Sequence, residues 1–424
     1  MTRTISLLTD FGYPDSTYSL NIIAEEQLGM LHRAGYEPRG VVDEGFEPQR
    51  NWKYAELRYL PHETKANNEK FHDGWQKTVR TLRTSFEEVL EGVDVVITHD
   101  LIYQASMLWH NMAARRYARD HSNVRWLHWV HSATPSPVWV QRDPRLESVQ
   151  SHFPHSLTVY PNSFDVPRVA ANFRCEVDQV AVVPHPTDVC GYLGFQDATR
   201  RLVQEKRLLE ADAILVYPIR LDRGKQVEYV LRTAAGLKSV GRSVRAVVVD
   251  FHSTGGDKVV YRDWLKTLAV DLDLNSIEVT FTSEFDESLS LNAPREMVRD
   301  LMLLCNVYVH PSVSETYSLV TQEAGLCGAF LVLNRDFPSM RSVYGPDAAY
   351  YQFSSGINAL TGMDGETTTN YDNIDDYFRS IALRVAYELD HNVVLAQQKR
   401  IRQERNPDYV FKRYIEPLFS DWES

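Results

Sequence analysis

The sequence predicts an α/β fold made of two parallel-sheet domains, and three observations point there. The chain has 424 residues, 43% of them hydrophobic, whereas single cores stop growing at about 250 to 300 residues. Short apolar runs alternate with helix-period segments through most of its length, as strands joined by crossover helices do. After residue 200 the same alternation starts again, so two such units follow one another.

Ile5-Ser-Leu-Leu opens the first half as a strand. A helix from Thr17 to Arg33 follows, with Leu20, Ile23, Leu28 and Leu31 on one face and Gly35 as its stop. A second amphipathic helix runs from about Trp75 to Leu90. Val93-Asp-Val-Val-Ile, Val124-Arg-Trp-Leu-His-Trp-Val and Ser156-Leu-Thr-Val-Tyr supply further strands. The second half offers Ala213-Ile-Leu-Val-Tyr, Val244-Arg-Ala-Val-Val-Val, Ile277-Glu-Val-Thr-Phe, Val307-Tyr-Val and Phe330-Leu-Val-Leu, each followed by a turn and a helix-like segment. The junction lies near Pro184 to Lys206, marked by Pro-His-Pro and then a charged stretch. It predicts Rossmann-like domains over residues 1–195 and 196–407. The acidic segment Gly362 to Asp376, rich in Asn and Thr, reads as a surface excursion. In open α/β sheets the ligand crevice lies beyond the carboxyl ends of the strands. With two domains, the natural site is a cleft between them.

A net charge of −12 argues against a protein that grips nucleic acid or anionic lipid over a wide face, although a local basic groove stays open. Cys175, Cys190, Cys305 and Cys327 are scattered without metal-ligand spacing and read as reduced thiols of a cytoplasmic protein. The short apolar run after Met1 meets Asp10 at once, so it is neither a signal h-region nor a membrane span. No Gly-x-Gly-x-x-Gly follows the first strand, which disfavours a dinucleotide oxidoreductase. Arg115, Arg116 and Arg119 read as a solvated helix face. His252, Gly255 and Gly256 read as a turn, with a nucleotide contact open.

The most informative segment runs from Val307 to Leu333: a strand, a Pro-Ser turn, a helix opening near Ser314 and an exit into another strand. Ser314 is a cap candidate, and the amides after it would form an anion site reinforced by the helix dipole. Glu315 stands at that mouth and Glu323 about two turns along; a carboxylate there can accept from both hydroxyls of a ribose diol. A second segment, Ile214-Leu-Val-Tyr-Pro-Ile-Arg-Leu-Asp-Arg-Gly-Lys, delivers Arg220 and Lys225 at a strand end. Arg can fork two phosphate oxygens and Lys adds a point charge. Taken singly, the first pattern also suits an ordinary capped helix with solvent-facing glutamates, and the second a solvated loop.

Together, in this order, the two segments resemble retaining GT-B glycosyltransferases of the family 4 type (glycosyl transferases group 1), whose fingerprint pairs an Arg-x4-Lys element with a Pro-Ser…Glu-x7-Glu element about ninety residues later. Weaker similarities are Asp94-Val-Val-Ile-Thr-His-Asp, Tyr160-Pro-Asn-Ser and Val180-Ala-Val-Val-Pro-His-Pro-Thr-Asp. Leu127-His-Trp-Val-His-Ser carries His131, at the place where the family commonly has an active-site histidine; His128 competes for that place. The resemblance implies an α/β GT-B fold, two Rossmann-like domains facing across a cleft, with the C-terminal helix of about 408–424 crossing back to the N-terminal domain. It implies a hexosyl- or pentosyltransferase that uses a UDP- or GDP-sugar, acts with retention and needs no metal or other cofactor. Arg220 and Lys225 would hold the diphosphate, Glu323 the ribose, and Glu315 with Thr316, Tyr317 and Ser318 the donor sugar, with His131 approaching that sugar from the other domain. Asp271-Leu-Asp273 imitates the metal-binding Asp-x-Asp of the other large glycosyltransferase fold, but two carboxylates alone make a poor divalent site.

Three departures stand out. Ser318 occupies a family glycine position, Gly328-Ala-Phe330 replaces a Gly-x-Pro, and the N-terminal Gly-Gly loop becomes Phe11-Gly-Tyr-Pro-Asp-Ser-Thr-Tyr-Ser. Gly12, Asp15 and Ser16, with His99, are the acceptor-side candidates. The acceptor itself stays open among metabolite, lipid, glycan, protein and modified nucleobase. Aromatics of the first half, among them Trp52, Tyr54, Tyr59, Trp75, Trp109, Trp126, Trp129 and Trp139, suit core packing and, as the alternative, stacking on sugars or bases. A second functional class remains beside the enzyme: a scaffold on the same fold that binds a nucleotide or glycan without turnover, or a partner subunit. A phosphorylase would need a pyridoxal lysine motif that the sequence lacks.

Overall fold

The structure is a computed structural model that describes residues 3–9, 19–48, 50–61, 74–102, 107–132, 135, 138–251, 257–313, 315–353 and 373–420. The chain divides into two compact units, Met1–Asp188 with Arg405–Ser424, and Val189–Glu404.

In the first unit seven parallel strands lie in the order β3-β2-β1-β4-β5-β6-β7. They are β1 Ile5–Leu8, β2 Arg39–Asp43, β3 Glu56–Leu60, β4 Val95–His99, β5 Arg125–Trp129, β6 Ser156–Tyr160 and β7 Val180–Val182. Every residue of β1, β4 and β5 is buried, as expected of parallel strands covered on both faces. The helices α1 Ser19–Arg33, α2 Trp75–Val89 and α3 Leu108–Asp120 connect them. On α1 the apolar face is as the periodicity predicts, with Leu20, Ile23, Leu28 and Leu31 all buried, and Gly35 stops it with a left-handed φ of +83°.

Three strands of this sheet escape a reading of apolar runs. β2 has only two consecutive apolar residues, β3 is a largely exposed edge strand, and β7 is three residues long. β4 also starts two residues later than the apolar run suggests. Val93 turns back to donate to the carbonyl of Leu90 at 3.1 Å, and the Asp94 carboxylate accepts from the Thr4 amide at 2.8 Å.

The C-terminal segment belongs to this first unit. Val410, Phe411, Ile415 and Phe419 share one core with Ile5, Leu28, Val42 and Trp129, each side chain contributing roughly 1.5–3 kcal/mol by burial. Arg33 pairs with Asp408 at 3.1 Å, and Tyr36 meets the edges of Phe411 and Phe419.

The second unit repeats the plan with six parallel strands in the order β10-β9-β8-β11-β12-β13. These are β8 Ala213–Arg220, β9 Val244–Phe251, β10 Val279–Phe281, β11 Val307–His310, β12 Phe330–Asn334 and β13 Ala349–Tyr351. Its main helices are α4 Val227–Ser239, α5 Asp257–Asp271, α6 Arg295–Leu304, α7 Leu319–Leu326, α8 Ile374–His391 and α9 Val393–Glu404. α8 packs so closely on α4 that a Cβ at Gly236 would lie 2.7 Å from the Phe378 carbonyl oxygen. Glycine is required there.

Asp375 and Asp376, read from sequence as part of a surface excursion, lie instead in the first turn of α8. Asn373 caps their amides, and both carboxylates favour the positive helix end. The rest of that excursion, up to residue 372, falls outside the described residues. In both units the strand order reverses beside the first strand, between β1 and β4 and between β8 and β11, so each unit is Rossmann-like. Such reversals open a crevice at the carboxyl ends of the strands.

Candidate functional site

In the second unit both sequence motifs reach the same reversal. β8 is an eight-residue strand buried throughout except at its last residue, Arg220, which it carries into the open. The chain then makes a turn through Arg223–Lys225, and Gln226 takes a left-handed φ of 51° before α4 begins. Tyr261 on α5 anchors this turn. Its hydroxyl accepts from the Val227 amide at 3.1 Å and donates to the half-buried Glu228 carboxylate, while the Arg223 guanidinium lies 5.2 Å from its ring centre.

β11 ends at His310 and leads into the Pro311-Ser312 turn, which Asn334 on β12 clamps by donating to the carbonyls of Pro311 at 3.3 Å and Ser312 at 3.2 Å. The two loops are joined. The Val313 amide donates to the Gly224 carbonyl at 3.0 Å, and the Lys225 ammonium forms an ion pair with the Glu315 carboxylate. Residues 90 positions apart in the chain therefore meet as a half-buried cation and anion.

Beneath that pair lies an aromatic layer. The Tyr217 hydroxyl donates to the Lys225 carbonyl at 2.9 Å, and its ring stands edge-on to Tyr308 and His310. His310 is 3% exposed, and burial, helped by the nearby Lys225 ammonium, pushes it down to about 3, so it is neutral. Its Nε2 lies 3.7 Å from the Glu315 carboxylate and has no hydrogen-bond partner among the described residues.

The other two motif residues stand apart from this pair. Arg220 is half exposed, 3.7 Å from Asp222, and Asp222 is also 3.8 Å from Lys258. Glu323 sits on α7, 3.9 Å from the exposed Arg295. Thr316 and Tyr317 are exposed in the loop that precedes α7.

The helix opening near Ser314 is corrected by the structure. Ser314 falls outside the described residues, and α7 starts at Leu319 with Ser318 as its cap, the Ser318 side chain accepting from the Thr321 amide at 3.4 Å. Glu315 therefore precedes the helix and is free to bend toward Lys225, while Glu323 lies about one turn inside it. Ser318 has a φ of 61°, in the left-handed region, which is why a glycine suits the position. Two contacts hold the serine there: its hydroxyl lies 2.8 Å from that of Thr321, and the Tyr344 hydroxyl donates to the carbonyls of Tyr317 at 3.0 Å and Ser318 at 2.7 Å.

At the strand ends of the first unit stands a group of imidazoles. His99, the last residue of β4, is fully buried; its Nε2 lies 3.0 Å from Gln27 Oε1 and its Nδ1 2.8 Å from His131 Nε2. An amide oxygen only accepts, so His99 carries its proton on Nε2 and presents a lone pair at Nδ1. His131 must then donate from Nε2, which leaves its Nδ1 as an acceptor. Burial holds His99 well below the ordinary histidine value and pushes His131 down to about 4.

Two further features fix the ring of His131. Its amide donates to the Asp100 carboxylate at 3.0 Å, and its ring stacks 5.5 Å from that of His185, itself pushed down to about 4 by burial and by His131. His128, the competitor, points the other way into the core, where Thr98 bonds its Nδ1 at 2.7 Å and Phe153 packs on it edge-on. His99 is buried with both nitrogens engaged, so neither is open to a ligand. Gln27 and His185 were not singled out from the sequence. The signal for Gln27 is an amide on the apolar face of α1, four residues from both Ile23 and Leu31.

Gly12, Asp15 and Ser16 lie outside the described residues, as do His252, Gly255 and Gly256. Arg115 is not part of a solvated face. It is 3% exposed and its guanidinium donates to Asn111 and to the carbonyls of Val149 and His152, because α3 is covered by the segment leading to β6. Trp52, Trp109, Trp126 and Trp129 are core residues, whereas Tyr54 and Tyr59 are exposed. Asp273 forms an ion pair with Lys238 at 3.2 Å, and the four cysteines are free thiols. Among the described residues no group of three or more His, Cys, Asp or Glu side chains could hold a metal ion, and no helix is long and apolar enough to cross a membrane.

Among solved structures, a glycosyltransferase from Rickettsia africae aligns at 11% identity and a TM-score of 0.38, covering 99% of both chains. Sucrose-phosphate synthase from Thermosynechococcus elongatus aligns at 18% identity and a TM-score of 0.34, covering 98% of both. Anabaena Alr3699/HepE, in complex with UDP-glucose, aligns at 14% identity and a TM-score of 0.33, covering 99% of this chain and all of the other. At scores this low the strand orders, not the likenesses, carry the description of the fold. No curated protein matches the chain. Residues 199–356, the stretch that holds Arg220, Lys225, Glu315 and Glu323, match the family described as glycosyl transferases group 1.

Proposed function

We propose that the protein is a glycosyltransferase that moves a hexose or pentose from a UDP- or GDP-sugar to an acceptor hydroxyl, with retention, without a metal, and in the cytoplasm. The observation that carries this reading is the meeting of Lys225 and Glu315 where the strand order of the second unit reverses. Arg220 and Lys225 hold the diphosphate and stabilise the negative charge that grows on it as the glycosidic bond breaks. Glu323 accepts from the ribose hydroxyls. Glu315 and the amides of Thr316, Tyr317 and Ser318 hold the donor sugar. In the first unit His131 offers a neutral acceptor nitrogen to a sugar hydroxyl, with His99 setting its tautomer and Gly12, Asp15 and Ser16 on the acceptor side. The leaving phosphate oxygen takes the proton of the attacking hydroxyl, so the second unit binds donor and the first serves acceptor.

Isothermal titration with UDP, GDP and ADP, with and without a chelator, tests the binding half of this proposal. Micromolar binding of at least one of them, unchanged by chelator, is the expected result; binding of none, or strict dependence on a metal, defeats it. Incubation of the purified protein with the matching nucleotide sugar and a panel of acceptors tests turnover. A scaffold without activity consumes no donor, whereas an enzyme consumes it and its Arg220→Ala variant does not.

A further inference from the structure

The ion pair between Lys225 and Glu315 raises a question of exchange. If Lys225 turns to a diphosphate and Glu315 to a sugar, as the function proposed above requires, the carboxylate loses the cation that holds it. Glu315 is about one-fifth exposed, and a carboxylate left half-buried with no donor is costly and poorly placed. Some other group has to take its Oε1.

One group in the structure is built to do so. His310 Nε2 lies 3.7 Å from that same oxygen, is buried, and among the described residues has no hydrogen-bond partner of its own. Native structures leave few buried polar groups unpaired, so such a group invites an explanation. The state of the ring is also fixed. The Tyr308 hydroxyl lies 3.2 Å from His310 Nδ1. Burial raises Tyr308 well above the usual phenol value, so it stays protonated and donates to Nδ1. A neutral imidazole that accepts at Nδ1 carries its proton on Nε2, the atom that faces Glu315. The ring can hardly turn away, since Tyr308 stacks against it at 5.9 Å and Tyr217 closes on it edge-on at 6.1 Å. A movement of Glu315 by under about 1 Å brings the contact into hydrogen-bond range.

We propose that His310 is the positioning residue for Glu315, receiving its carboxylate from Lys225 when a nucleotide sugar binds and holding it toward the donor sugar. This rests on the reading of Lys225 and Glu315 given above. It assigns a part in sugar recognition to a strand residue that touches no ligand itself.

The test separates nucleotide from sugar. Calorimetric affinities are measured for UDP against UDP-glucose, GDP against GDP-mannose and ADP against ADP-glucose, with wild type, His310→Phe and His310→Gln. His310→Phe keeps a buried ring and loses the N–H; it should bind the nucleoside diphosphate within about twofold of wild type and the nucleotide sugar about tenfold more weakly, as loss of a hydrogen bond to a charged group predicts. His310→Gln, whose amide can donate from nearly the Nε2 position, should recover most of the difference. Should His310→Phe fold poorly by circular dichroism, Tyr308→Phe keeps the ring in place, removes the hydroxyl that fixes its tautomer, and should shift the same ratio in the same direction by a smaller factor. Equal weakening of both ligands, or of neither, overturns the inference while the reading of the site survives. Failure of the wild type to bind any nucleotide of the panel defeats that reading, and the inference with it.

Discussion

At the ends of β4 and β5 the first unit sets His99 against His131, with His185 stacked behind them, while at the ends of β8 and β11 the second unit sets Lys225 against Glu315. The strand orders around these two places are alike. What differs is how charge is managed. The first unit buries imidazoles until they are neutral and orders them by hydrogen bonds to Gln27 and Asp100, His99 donating to the first and the His131 amide to the second. The second keeps full charges at the surface of its sheet and cancels them in pairs. A fold that supplies only a crevice can thus be fitted either for uncharged, directional contacts to hydroxyls or for a multiply charged phosphate.

The largest expected effect breaks this division directly. Lys225→Ala should weaken nucleoside diphosphate binding by about 100-fold, the loss of a charge-assisted contact, and the remaining affinity should lose part of its dependence on salt. His131→Ala should leave that affinity within about twofold and reduce turnover instead. Titration calorimetry at two salt concentrations, beside a donor-consumption assay, reads both. If the histidine variant loses nucleotide binding as severely as the lysine variant, the two regions do not divide the work in this way.

How far this arrangement can be read from sequence follows the same line. Arg220, Lys225, Glu315 and Glu323 are legible because a spaced motif lies on long apolar strands, and β8 and β11 show themselves by their Val, Ile and Leu content. The imidazole chain is legible only in part. His131 follows a strand and could be picked out, but its link to His99 and Gln27 requires that α1 pack its Gln27 against the end of β4, a tertiary fact that periodicity does not contain. β2, β3, β7 and β13 escape because each is short, at an edge or sparsely apolar. The opening of α7 was misplaced because Ser314 and Ser318 are equally good cap residues, and a left-handed turn at Ser318 decided between them.

A middle-sized effect concerns acid. His110, His131 and His185 are pushed down to about 4, and His99 and His128 fall well below their usual value, all by burial, whereas among the described residues of the second unit His310 alone is so displaced, to about 3. In the unfolded chain these rings take up protons near 6.5. The unfolded state therefore binds more protons than the folded one between about 6.5 and 4, and stability falls as pH drops through that window and is flat above it. Hydrogen exchange at pH 7.5 and pH 5, corrected for intrinsic rates, should show the first unit losing protection on the order of a few kcal/mol, with the second changing less. Equal losses in the two units, or an earlier loss in the second, would contradict the assignment of neutral buried imidazoles to the first.

The smallest effect sharpens the account of the second unit's loop. Ser318 holds a left-handed conformation that costs a non-glycine residue roughly 1–2 kcal/mol, so Ser318→Gly should relieve strain. It also removes the hydroxyl that caps Thr321 and lies next to it, and replacing a serine cap by glycine costs only a few tenths of a kcal/mol, although glycine adds unfolded-state entropy of about 0.5–1 kcal/mol. These terms nearly cancel, so thermal stability should change by no more than about 1 kcal/mol in either direction. The loop path itself depends on the Tyr344 hydroxyl, which bridges the carbonyls of Tyr317 and Ser318. Tyr344→Phe should therefore weaken nucleotide-sugar binding several-fold where Ser318→Gly does not, since a lost hydrogen bond is worth about 1 kcal/mol. If the glycine variant proves the more damaging of the two, the serine hydroxyl, through its contact with Thr321, rather than the tyrosine clamp sets the mouth of α7.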